Sequence, residues 1–135
     1  MSTRCQIGFY NSLKKNHNEW EALVYKHWDG YPSNMLPIIV PILQDFHKHR
    51  GLDDAEYAAA FLISKIKTDY LDIGVCRDFH GDIDYFYKVG PEGINVYSVG
   101  TSQNEPKFKL DRKATKEAMN IFNSETAIQA ALEQE

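Results

Sequence analysis

The spacing of apolar residues along this chain switches from period two to period 3.6 and back again, and that alternation limits the fold more than any single motif. In residues 5–11, Cys5, Ile7 and Phe9 point one way and Gln6, Gly8 and Tyr10 the other, as a half-buried strand requires. Residues 20–28 alternate again, Leu23, Tyr25 and His27 against Ala22, Val24, Lys26 and Trp28. The polar stretch from Asn11 to Asn18 reads as the long tip of a hairpin between them.

After Asp29-Gly30-Tyr31-Pro32 the period becomes helical. Asn34 is the expected N-cap of a mostly buried helix reaching His49, with Gly51 as its C-terminal stop. Pro37 is tolerated in the first turn, whereas Pro41 is expected to kink the helix at a cost of about 3 kcal/mol. Asp53 and Glu56 have capping-box spacing and open a second helix, with Ala55, Ala59, Leu62, Ile66 and Tyr70 on one face, ending near Asp72.

Period two returns over residues 73–79, 83–89 and 94–99. His80-Gly81-Asp82 and Gly90-Pro91-Glu92-Gly93 join these segments and predict an antiparallel meander. Gly100 to Pro106 reads as a loop, residues 107–112 as a short edge strand, and residues 113–122 and 124–133 as helices broken near Asn123-Ser124. The expected fold is a single α+β domain over residues 1–135, of order ββααβββ(β)αα. It has an antiparallel sheet of five to six strands, helices packed on one face, and a C-terminal helical segment from about residue 113.

Charge and composition narrow the function classes. A formal net charge of −4 argues against a sequence-independent nucleic-acid binder, which needs a basic face. The longest apolar run, Met35 to Leu43, holds two prolines and falls well short of the roughly 20 residues that cross a membrane as a helix. The two cysteines, Cys5 and Cys76, form no C-x-x-C and read as buried reduced thiols; with no secretory leader, a cytoplasmic location, in a cell or an infected host, is expected.

Two segments concentrate chemistry: Tyr25-Lys26-His27-Trp28-Asp29-Gly30-Tyr31-Pro32 and Asp78-Phe79-His80-Gly81-Asp82-Ile83-Asp84-Tyr85. Each sets a histidine two residues from an aspartate at a glycine-containing turn. Ordinary turn chemistry explains the Asp-Gly pairs. If the two rims meet, His27, Asp29, His80 and Asp82 form a two-His, two-carboxylate set suited to zinc, iron or manganese. The surrounding aromatics, Tyr25, Trp28, Tyr31, Tyr85 and Tyr87, could stack a ring while Arg4, Lys26 or Arg77 meets a phosphate, or they could simply fill a core.

Asp82 and Asp84, about 6.5–7 Å apart if extended, read as a solvated strand face more cheaply than as a paired-carboxylate site. His47 and His49 point apart on a helix and read as a basic C-terminus. No phosphate-binding loop, dinucleotide fingerprint, nucleophile elbow or H-E-x-x-H is present, and Cys76 with His80 lacks a third orienting residue.

The opening Met-Ser-Thr-Arg, Tyr25-x-His27-x-Asp29-Gly30-Tyr31-Pro32, and His80-Gly81-Asp82-Ile83-x-Tyr85-x-Tyr87 together resemble a group of small uncharacterised proteins of bacteriophages, bacteria and archaea, over about residues 1–99. That resemblance implies no activity or cofactor; a phage setting would imply a role in host takeover or counter-defence.

The sequence therefore leads to a non-enzymatic binding protein. Its expected site is built from Arg4, Tyr25, His27, Asp29, Tyr31, His80, Asp82 and Tyr85. It would take a small nucleotide-like ligand or a partner protein, as a homo-oligomer joined through the sheet edge or the C-terminal helix. Two rival readings stand beside it: a metal-dependent hydrolase using the His/Asp set, and an inhibitory protein acting through the apolar face of residues 124–133.

Overall fold

The computed structural model describes residues 3–69, 71–102, 105–118 and 124–132. Their order is β1 (Cys5–Phe9), β2 (Ala22–Lys26), α1 (Pro32–His49), α2 (Ala55–Lys65), β3 (Ile73–Val75), β4 (Tyr85–Gly90), β5 (Gly93–Ser102), β6 (Glu105–Leu110), α3 (Arg112–Glu117) and α4 (Ser124–Leu132). This is the expected α+β class and the expected element order. Tyr70, Asn123 and residues 119–122, which the sequence reading placed in helices or at their break, lie outside the described residues, as do residues 1–2 and 133–135.

The six strands form one sheet in the order β3-β2-β1-β4-β5-β6. Neighbours are antiparallel except at the centre, where β1 and β4 run parallel with Cys5 opposite Tyr85 and Phe9 opposite Val89. The sheet is therefore mixed, and the expected meander of residues 73–99 is interrupted. β3 pairs with β2 at the edge, while β4 starts again beside β1. His80-Gly81-Asp82 is not a hairpin turn but the middle of a connection spanning two strand positions. β3 and β4 both run in the direction of β1, and strands of one direction are joined by crossing connections, not tight turns.

One face of the sheet carries the larger core. Cys5, Ile7, Phe9, Val24, Tyr87, Val89, Ile94 and Val96 are buried there against Met35, Leu36, Ile39, Leu43 and Phe46 of α1 and Ala55, Ala58, Ala59 and Leu62 of α2; Ala114 and Ala118 close one end. Helix α1 starts at Pro32 rather than Asn34, because proline fits the first turn. The Asn34 amide instead donates to the Asp29 carbonyl from inside the helix, at 2.7 Å. The helix runs through Pro41, which is solvent-exposed. Burial of five large apolar side chains, each favourable by about 1.5–3 kcal/mol, outweighs that proline. Gly51, at φ 93°, stops the helix as expected.

Helix α2 ends at Lys65, short of the expected Asp72, with Ile66 already extended; its N-cap is Asp54, without a side-chain cap bond. The second face is covered less regularly. Tyr10, Leu23, Phe86 and Tyr97 are buried there under Trp20, Phe79, Phe108 and Ala131 of α4. Helices thus flank both faces, and the apolar side of α4 is used within the chain: Ile128, Ala130 and Ala131 are all buried.

Candidate functional site

Gln6 explains why the two chemistry-bearing segments meet. It lies on the second face of β1, fully buried, and its amide grips the crossing connection at two points. Its Nε2 donates to the Asp78 carbonyl at 3.1 Å, and its Oε1 accepts from the His80 N–H at 2.9 Å. Phe79 then turns into the aromatic layer, with ring centroids 4.9 Å from Trp20 and 5.3 Å from Phe86. His80 and Asp82 are left exposed beside the ends of β1 and β2.

Five expected residues converge there. The Tyr25 and His80 rings stack 4.4 Å apart at 24°. The Tyr25 hydroxyl lies 3.2 Å from His27 Nδ1 and 3.4 Å from Asp82 Oδ2. Arg4 Nε is 3.2 Å from Asp82 Oδ2 and 3.4 Å from His27 Nδ1. A guanidinium only donates, so Nδ1 accepts and the proton of the neutral His27 ring sits on Nε2. Partial burial and the Asp82 charge raise the Tyr25 hydroxyl above its ordinary range, against the opposing charge of Arg4, so it stays a donor at neutral pH. The Arg4 main chain is fixed too: its N–H donates to Asp84 Oδ2 at 3.1 Å, and its carbonyl accepts from Asp84 N–H at 2.8 Å.

The remaining expected residues stand apart. Tyr85 alternates onto the opposite, helix-covered face, where it packs on the larger core. Asp29 occupies a left-handed conformation at φ 53° with an exposed side chain, and among the described residues no ion pair joins that side chain to the Arg4 guanidinium as one joins Asp82. Tyr31 caps α1 with extended backbone and an exposed ring. The metal set is accordingly not assembled: among the described residues no three His, Cys, Asp or Glu side chains are placed to hold an ion. The space between His27 and Asp82 is spanned by the Arg4 guanidinium, a cation in its own right.

Two supports stand behind this group: Trp28, which the sequence places among the surrounding aromatics, and Asp72, which it does not mark. Trp28, exposed, sits edge-on to His27 at 5.2 Å. Asp72 accepts from the N–H groups of His27 (3.0 Å) and Trp28 (2.7 Å), fixing the backbone that carries them. Its partner Lys26 was visible in the sequence as a charge on the apolar side of β2; nothing local marked Asp72. A shallow, open depression lined by Val75, Cys76, Arg77 and Phe79 runs from the β3 edge to His80 and Asp82. Comparison of the chain with protein-family models, with curated proteins and with solved structures gave no match in any of the three.

Proposed function

We propose that this protein is a non-enzymatic binding module and that the rim of Arg4, Tyr25, His27, His80 and Asp82 takes a small, polar, ring-bearing ligand of the nucleotide type. The observation that carries this reading is the stacked Tyr25–His80 pair with the His27–Arg4–Asp82 hydrogen-bond group at its edge, all part-exposed beside an open depression. Exposed aromatic faces stack any base, by about 1–3 kcal/mol each, and need no reaction chemistry to do so. Around them stand an acceptor (Asp82), donors on Arg4 and an imidazole Nε2–H, which suit the polar edge of a base. Hydrolysis through a metal would need His and Asp donors turned toward one point; here His27 and Asp82 meet the Arg4 guanidinium while His80 stacks on Tyr25.

Native mass spectrometry of the gently purified, chelator-free protein tests the reading, followed by titration with adenosine monophosphate monitored at the Trp28 indole. A retained organic mass, or a titration shift that His80→Ala weakens about tenfold or more, supports it. An unaltered titration in His80→Ala and Arg4→Ala, both still folded, would remove the rim as the site.

A further inference from the structure

The two edges of the sheet are built differently. β6 carries Pro106, Lys107 and Lys109, residues that discourage another strand from pairing. β3 is Ile73-Gly74-Val75, with neither charge nor proline. Leu71 and Val75, beside and within it, are 65% and 77% exposed, the two most exposed large apolar side chains among the described residues.

The hydrogen bonds to β2 fix which backbone groups of β3 face outward. His27 N–H donates to the Asp72 carbonyl at 2.8 Å, and Cys76 N–H donates to the Leu23 carbonyl at 2.9 Å. Antiparallel pairing alternates, so Gly74, opposite Tyr25, also points inward. The N–H and C=O groups of Ile73 and Val75 therefore point away from the sheet. Two outward residues separated by one inward residue form a self-complementary edge. A two-fold axis at Gly74 sets Ile73 opposite the Val75 of another copy, and each such pair exchanges both of its hydrogen bonds. The two Gly74 residues then face each other in the close, non-hydrogen-bonded position, where a missing side chain removes any clash.

We infer that β3 is a dimerisation edge, pairing antiparallel with the β3 of a second copy of this chain about Gly74. The sheet then continues across twelve strands, and Val75 is covered by the partner edge.

The inference is tested on the whole chain by sedimentation velocity from low to high micromolar concentration. A monomer–dimer equilibrium is expected. Val75→Pro deletes only an outward N–H, following a glycine that tolerates a proline next to it, and is expected to abolish the dimer with the circular dichroism spectrum unchanged. Gly74→Cys in a Cys76→Ser background gives an independent reading, because a Cβ at Gly74 meets no atom within 4 Å of its own chain. Facing residues of a non-hydrogen-bonded pair lie within disulfide reach, so mild oxidation is expected to link two chains. A wild-type chain that stays monomeric and a Gly74→Cys chain that does not cross-link overturn the inference, leaving the edge to a strand of another protein. A dimer that survives Val75→Pro and shows no Gly74→Cys link overturns it equally, and if Val75→Pro does not fold the cross-link alone decides.

Discussion

Asp72 is the residue on which the geometry of the rim turns. Its carboxylate is 2.7 Å from Lys26 Nζ, and both side chains are almost wholly buried. It also accepts from Thr68 Oγ1 and from two main-chain N–H groups of the His27–Trp28 segment. Burial alone would push this carboxyl up; the bonds from Lys26, Thr68 and the Trp28 N–H outweigh it and hold the group below its ordinary value. A carboxyl whose folded pKa lies below the unfolded value of about 3.9 adds stability above that pH and loses it as pH falls through the folded pKa. Asp72→Asn keeps an oxygen for His27 and Trp28 but leaves Lys26 charged and buried without its counter-charge, still donating to the Trp28 carbonyl. The variant is expected to lose about 3–5 kcal/mol at pH 7 in urea unfolding, a loss that shrinks below about pH 4. Pairing it with Lys26→Met should recover most of that loss, and a double variant no more stable than Asp72→Asn would contradict the ion-pair account. Lys26 was legible as a charge on β2, though as a candidate phosphate contact and not as half of a buried ion pair. The partner was not, because it comes from beyond α2 and local spacing does not record which connection returns beside β2.

The Asp29–Pro32 turn shows at the scale of elements how far local patterns reach. Its residues mark the end of β2 and the approach to α1 in the sequence, but not the closeness with which the segment sits on β1. Gly30 N–H donates to the Thr3 carbonyl at 2.8 Å, and its own carbonyl accepts from the buried Tyr87 hydroxyl at 2.7 Å. A Cβ at Gly30 would come within 2.8 Å of Cys5 Cβ and 2.9 Å of Cys5 N, and main chain cannot move aside as a flexible side chain can. Gly30→Ala is therefore expected to cost about 1–3 kcal/mol by thermal unfolding, because the start of α1 must lift from the sheet. Gly81→Ala, with no atom within 4 Å of the added carbon, should stay within about 0.5 kcal/mol. Equal effects at the two sites would show that chain entropy, not the approach of the turn to β1, sets the cost. The contrast also explains why strand identity was legible and strand order was not. Period two marks a strand wherever it pairs, and His-Gly-Asp suits a hairpin and a crossing connection equally well. The usable signal was Gln6, a long amide on a strand that turned out to be central, whose burial requires main-chain partners such as Asp78 and His80.

The molecule as a whole is two unlike layers on one sheet, and the second, like the first with its Lys26–Asp72 pair, buries polar groups. Lys88 projects into it fully buried, with Nζ donating to the Lys15 carbonyl at 2.5 Å and lying 4.9 Å from the Tyr10 ring centre. Asn95, directly opposite on β5, is also buried, and neither atom of its side-chain amide has a partner among the described residues. Burial, with a further push from Lys88, brings His17 down to about 4, so at neutral pH its ring serves as an uncharged aromatic between Tyr97 and Phe108. Burial lowers Lys88 itself to about 8, against the raising influence of Glu92 and Glu19. Between about pH 8 and pH 10 the unfolded chain therefore binds a proton at this lysine that the folded chain has released, and the stability contributed at Lys88 rises with pH across that window. Tyr10, Tyr87 and Cys5 are all pushed upward by burial and act in the opposite sense at alkaline pH, so the wild-type curve alone mixes the two. Subtracting the unfolding free energy of Lys88→Met isolates the lysine. The wild type minus Lys88→Met difference is expected to be flat near pH 7 and to climb by up to about 1.4 kcal/mol per pH unit from pH 8 to pH 10. A difference that stays level would mean that the ammonium remains charged inside the layer, held by Glu19, Glu92 and the Lys15 carbonyl strongly enough to cancel the cost of its burial.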